Sequence, residues 1–283
     1  MGLTVTPTEK YFGNVVTNSS DPEMRERDFY LMFLAVATVF VLLVDQLGVR
    51  SAARRKSKLK PANHHQMDLS SQQELQTMSS TPRILCYGDS LTAGTSPLGQ
   101  VLYPYAPHLE RALHQQTTLR DAVVRHRGLP GWTSEQMLAD ANGELTGLRT
   151  AIQAGFPIDL VILLAGTNDL AYGDRPEPIV QTILGLHQLC YDEGVKHTIA
   201  IGIPSSGYQS TNQKVKLLAQ TINNELANFS QRDPRTTFVP FPFGFQYDDE
   251  KWAMDGLHFS PLGYKVLGES LAPTVDFILK REK

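Results

Sequence analysis

Four short stretches of the chain carry side chains whose types and spacing could do chemistry together. Gly88-Asp89-Ser90-Leu91-Thr92-Ala93-Gly94 offers a serine hydroxyl between glycines that let the backbone turn tightly and approach a ligand. Serine is a weak nucleophile until a base takes its proton, and histidine titrates in the range suited to that task. Asp255-Gly256-Leu257-His258 supplies the histidine, with a carboxylate three residues before it that could hold the ring in one tautomer. Gly166-Thr167-Asn168-Asp169 supplies an amide able to donate N–H to an oxyanion, and Gly131-Trp132-Thr133 a glycine N–H that could do the same. Each stretch also has a plainer reading. They could be a strand-to-helix turn, a capping Asp beside a surface His, and turns built from Gly, Asn and Asp. The serine motif is not a Gly-x-Ser-x-Gly elbow, so it is not the α/β-hydrolase signature.

Positioning these groups requires elements that end beside them. From Arg83 onward, apolar runs alternate with helical patterns. The pattern predicts strands at Arg83–Tyr87, Ala122–Arg125, Leu160–Leu164, Thr198–Ile203 and Thr237–Val239. Leu160–Leu164 is apolar throughout, as expected for a strand covered on both faces. Helices are expected at Tyr103–Gln115, Ser134–Ala154, Pro178–Asp192 and Gln213–Gln231. A last helix should start at Ser260-Pro261, where Ser suits the N-cap and Pro the first helical position. Strand–helix alternation implies a parallel sheet with helices on both faces. Ligands of such sheets bind beyond the carboxyl ends of the strands, and the four stretches fall just after strands or in late loops.

In their order along the chain and their positions relative to the strands, the four stretches resemble the blocks of the SGNH (GDSL) hydrolase superfamily. The resemblance covers Arg83 to the C-terminus. It implies a three-layer α/β/α sandwich with a flavodoxin-like, five-stranded parallel sheet. It also implies hydrolysis of esters or thioesters without metal or organic cofactor. Carried over residue by residue, it makes Ser90 the nucleophile, with His258 as base and then acid and Asp255 orienting it. The Ser90 N–H, the Gly131 N–H and the Asn168 amide become the oxyanion donors. One departure is visible: many relatives place Pro directly after the His, whereas here Phe259 follows and Pro comes at 261.

The rest of the chain bounds the setting. Its 283 residues, 41% hydrophobic and 19% charged, suffice for one well-buried domain plus additional segments. A net charge of −3 argues against a nucleic-acid partner, since neutralising phosphates needs a basic surface. Cys86 and Cys190 read as two buried free thiols, with a single bridge left open. No Cys/His cluster has zinc-site spacing, and His64 and His65 lie in a polar linker.

Residues 29–44 are apolar apart from Tyr30 and Thr38, and the expected layout follows from them: a polar tail at 1–28, a transmembrane anchor at 29–49, a basic and polar tether at 50–81, and the hydrolase domain at 82–283. The acidic, 28-residue stretch before the apolar run is unlike the n-region of a cleaved signal peptide, which is the rival reading and would make the domain secreted. Arg50, Arg54, Arg55, Lys56, Lys58 and Lys60 follow the run while only Arg25 and Arg27 closely precede it. Positive-inside bias then places the hydrolase domain in the cytosol.

Trp132 and Trp252 lie beside the candidate blocks, and Phe241, Phe243, Phe245 and Tyr247 precede Trp252. An acyl pocket and ordinary packing under a loop are both open readings of this aromatic group. Three functions compete on sequence alone. The leading one is an esterase or acylhydrolase acting on an acyl or acetyl ester, with the expected membrane tether favouring lipid-derived esters. The others are an acyltransferase using the same Ser/His/Asp, and a non-catalytic binding protein that keeps the fold. The intact set of five residues argues against the last.

Overall fold

The structure is a computed structural model, and it describes residues 81–96, 101–154 and 157–281. The proposed tail and anchor, and the linker up to residue 80, lie outside the described residues. Among the described residues no helix is long and apolar enough to cross a membrane.

Among the described residues five strands form one parallel sheet: β1 (Arg83–Asp89), β2 (Val123–Leu129), β3 (Leu160–Leu164), β4 (His197–Ile201) and β5 (Thr236–Val239). Their order is β2-β1-β3-β4-β5, the flavodoxin-like order, with β1 at the topological switch point. Among the described residues eight helices accompany them: α1 (Ser90–Ala93), α2 (Ala106–Gln116), α3 (Ser134–Ala139), α4 (Leu148–Gln153), α5 (Pro176–Asp192), α6 (Gly207–Thr211), α7 (Gln213–Arg232) and α8 (Pro261–Arg281). A 3₁₀ turn occupies Asn168–Ala171.

The side-chain period of two splits each central strand between two cores. Leu85, Tyr87, Val161 and Leu163 face one layer, where they pack with residues of α3, α4, α5 and α7. Ile84, Cys86, Leu160, Ile162, Leu164, Ile199 and Ile201 face the other, against α2 and α8. All five residues of β3 are buried, and each such side chain contributes about 1.5–3 kcal/mol when fully removed from water. The two thiols, Cys86 and Cys190, are free and buried in opposite cores. Burial pushes the Cys86 thiol up to about 12.

Three expectations from the sequence are corrected. β2 continues past Arg125 to Leu129, because an edge strand tolerates the half-exposed Arg125-His126-Arg127 run. The stretch expected as one helix over Ser134–Ala154 is two, α3 and α4. A turn separates them in which the Gly143 N–H bonds to the Asp140 carbonyl and the Gly147 N–H to that of Gly143. β1 runs to Asp89, two residues beyond the expected end, so Ser90 opens a helix directly off the strand.

Candidate active site

Ser90 is presented by its neighbour. Asp89 ends β1 and caps α1, its Oδ1 accepting the Leu91 N–H at 2.8 Å. The register of the sheet sets the surroundings, since Gly88 pairs with Gly128 of β2 on one side and Leu164 of β3 on the other. Ser90 therefore emerges between the loop that carries Gly131 and the loop that carries Asn168.

The histidine beside Ser90 comes from the other end of the chain. Asp255 Oδ1 accepts the backbone N–H of Leu257 at 3.0 Å and of His258 at 2.9 Å, a local turn that brings the two side chains to one side. Gly256 between them stands at φ 64, a region that a side chain would strain. The turn is held from below. Trp252 and Phe259 pair across it, and Phe259 is fully buried with ring centroids 4.9 Å from Trp252 and 5.3 Å from Phe243. Phe259, directly after the histidine, is thus the anchor of the histidine loop. These edge-on contacts make Phe243, Phe245, Trp252 and Phe259 a packed cluster, and the Trp252 indole N–H donates to the Gly244 carbonyl at 3.0 Å. Phe241 and Phe243 also border a cleft of about 460 Å³ with Ile203 and Asn223, and its lining includes none of Ser90, Asp255 or His258.

The separate pieces meet. His258 Nε2 is 3.1 Å from Ser90 Oγ, and His258 Nδ1 is 2.8 Å from Asp255 Oδ2. In the tautomer that donates Nδ1–H to the carboxylate, Nε2 is left to accept the serine proton. Ser90 and His258 are only 7% and 9% exposed, so a proton passing between them would meet little competition from bulk water. Burial pushes the Asp255 carboxyl up. The hydrogen bond and charge of His258, with the two backbone donors, outweigh this and hold it below the usual range.

Asn168 and Gly131 are brought together through an intermediate. The Asn168 amide donates to the carbonyl of Trp132, the residue after Gly131, at 2.9 Å. An amide has two N–H groups, and this bond uses one of them. Gly131 stands at φ 82 in the turn after β2. Thr167, before Asn168, has a buried hydroxyl that faces Asp89, before Ser90. Trp132 packs against the α3/α5/α7 core. Among the described residues no group of three His, Cys, Asp or Glu side chains is placed to hold a metal.

Two features escaped sequence reasoning. Asp89 is a fully buried carboxyl beside Ser90, and its position before an N-terminal helix residue was the available signal. Asp169 accepts the backbone N–H of Ser134, the residue after Thr133. The Thr133-x-x-Gln136 capping box that opens α3 was visible as a pattern, but its partner across the sheet was not.

The fold is shared with solved structures. A candidate arylesterase from Agrobacterium tumefaciens str. C58 matches at 22% identity over 69% of this chain and 98% of its own, with a TM-score of 0.54. A lipase/acylhydrolase from Enterococcus faecalis matches at 23% identity over 69% and 95%, with a TM-score of 0.51. A member of the lipolytic G-D-S-L family from Veillonella parvula DSM 2008 matches at 19% identity over 68% and 97%, with a TM-score of 0.51. No curated protein matches the chain. The model of the GDSL-like lipase/acylhydrolase family matches residues 86–266, which takes in Ser90, Gly131, Asn168, Asp255 and His258, and the chain belongs to that family of ester-hydrolysing enzymes.

Proposed function

We propose that the chain cleaves carboxylic esters or thioesters through an acyl-serine intermediate formed on Ser90. The observation that carries this reading is the continuous path from Ser90 Oγ to His258 Nε2, and from Nδ1 to Asp255. Ser90 Oγ attacks the ester carbonyl as His258 takes its proton. The tetrahedral oxyanion is bound by the Ser90 and Gly131 N–H groups and the free N–H of Asn168. His258 then protonates the leaving alcohol or thiol, the acyl-serine remains, and water repeats the sequence to release the acid. An oxyanion donor of this kind is worth about 2.7–4 kcal/mol of transition-state stabilisation.

The enzyme is also proposed to be held at a membrane by residues 29–49, with its hydrolase domain on the cytosolic side. The apolar run and the basic cluster after it support this. Full protease sensitivity of the catalytic domain only after vesicles are opened would reverse the topology.

The test of the chemistry is turnover of short p-nitrophenyl esters by the full-length chain in detergent. The wild type should show saturable hydrolysis and Ser90→Ala none above background, with unchanged circular dichroism. Equal turnover by the variant would remove Ser90 as the nucleophile.

A further inference from the structure

Asp169 takes no part in the proton transfers above, yet its carboxylate is buried and fully engaged. Its Oδ2 accepts the Ser134 backbone N–H at 2.9 Å, and its Oδ1 accepts the Ser134 hydroxyl. That hydroxyl is also 2.6 Å from Thr182 Oγ1 of α5, so the contact is braced from the helical layer. One residue earlier, Asn168 donates to the Trp132 carbonyl. Two consecutive residues of the β3 loop therefore grip two positions of the β2 loop, with Thr133 between them and Gly131 directly before. Locally that loop is held by the Thr133–Gln136 capping box and by the Trp132 N–H bond to the Leu129 carbonyl at 3.1 Å, neither of which ties it to the β3 loop.

We propose that Asp169 is a positioning residue for the oxyanion site. By holding Ser134 it fixes the direction of the Gly131 N–H, and by tying its own turn to that loop it fixes the Asn168 amide. This rests on the reading of Gly131 and Asn168 as oxyanion donors. Such donors act at full strength only when aligned beforehand with the place where charge develops, and a misplacement of about 1 Å can cost about 10²-fold in rate. An ionised carboxylate accepts from both donors of Ser134 in charge-assisted bonds. Asparagine at 169 presents one acceptor oxygen and turns two N–H donors toward a residue that is itself donating.

The test uses the full-length chain in detergent, with p-nitrophenyl butyrate as substrate and phenylboronic acid as a probe that forms a tetrahedral adduct on Ser90. Asp169→Asn should lower kcat by about ten- to a hundredfold with KM within about twofold, and weaken phenylboronic acid in the same proportion. Ser134→Ala should do the same to a smaller degree. Combining Asp169→Asn with Asn168→Ala should cost less than the product of the single losses, because both act on one site. The proposal is overturned if kcat and boronate affinity of both variants stay within about twofold of wild type, or if the loss falls on KM alone. Should Asp169→Asn not fold, Ser134→Ala decides by the same criteria, since it keeps the backbone bond. A wild-type chain without hydrolysis would overturn the esterase reading itself. An active wild type with unimpaired variants overturns only the role of Asp169.

Discussion

Asp255 holds His258 at two points: its Oδ1 accepts the histidine backbone N–H at 2.9 Å, and its Oδ2 lies 2.8 Å from Nδ1. The two oxygens have separable duties, one shaping the loop and the other setting the tautomer. Asp255→Asn can keep the first by offering its carbonyl oxygen to the backbone. It must then turn an N–H₂ toward Nδ1, which favours the ring with its proton on Nε2 and no lone pair for Ser90. The expected result is a fall in kcat of about 10⁴-fold with a nearly unchanged urea midpoint. Asp255→Ala loses the loop bonds as well and should add a stability loss of about 1 kcal/mol or more. Near-wild-type kcat in Asp255→Asn would mean that another carboxylate orients His258.

Asp89 gives a pH signature. Burial pushes its carboxyl up to about 7, with the Leu91 N–H and His258 pulling it down and Asp169 pushing it further up. The buried phenols of Tyr105 and Tyr264 also feel its charge. The folded value lies above the unfolded one near 3.9, so this group's contribution is intact below about pH 4 and is lost as pH rises through 7. Asparagine keeps the cap on Leu91 without the charge. Asp89→Asn should therefore raise the urea midpoint relative to wild type at pH 8, and the advantage should shrink at pH 5. The scale is set by about 1.4 kcal/mol per unit of pKa difference. An advantage of equal size at both pH values would show that Asp89 does not titrate in this window.

His187 works in the opposite direction. It is fully buried on α5, with Nδ1 2.7 Å from Thr198 Oγ1 and Nε2 without a partner. Burial lowers it to about 3, opposed by Asp233. The folded value lies below the unfolded one near 6.5, so stability is complete above that value and falls as the unfolded chain takes up the proton. The slope approaches about 1.4 kcal/mol per pH unit between roughly 6.5 and 3. His187→Phe should flatten the acid limb of urea midpoint against pH, because it removes the titrating ring while Thr198 keeps Tyr191 as a partner at 2.7 Å. An unchanged acid limb in the variant would assign it to other groups.

Some of this architecture could be read from local residues and some could not. β3 was legible because five consecutive apolar residues leave a doubly covered strand as the natural outcome, and α8 because Ser260-Pro261 is a start signal that tertiary context did not override. The Asp255/His258 pair was legible for a related reason: its contact is made within four residues. The rest of β2 was obscured by Arg125, His126 and Arg127, whose charges suit an edge strand but break an apolar pattern. The Asp169 contact with Ser134 spans 35 positions and depends on β1 lying between the two strands that carry them, which no local pattern encodes. That Ser90 meets His258 across 168 positions came only from the resemblance and from the sheet that joins them.

Gly128 tests how closely Ser90 is seated. It lies in β2, and a Cβ there would fall 2.1 Å from the backbone N and 2.4 Å from the Cα of Ala93, the last residue of the helix that Ser90 begins. No rotamer change relieves a clash with backbone, so α1 must move off the strand. The motion is transmitted to Ser90, while His258 stays on a loop anchored by Phe259. Gly128→Ala should thus cost about 1–3 kcal/mol of stability by overpacking, and about 10²-fold or more in kcat by opening the distance between Oγ and Nε2. Gly244→Ala is the control, because a Cβ at that position meets nothing closer than Ser205 Oγ at 4.0 Å. Its urea midpoint and kcat should stay near wild type. Wild-type kcat in Gly128→Ala would show that α1 can shift without disturbing the serine, and that the close seating serves packing alone.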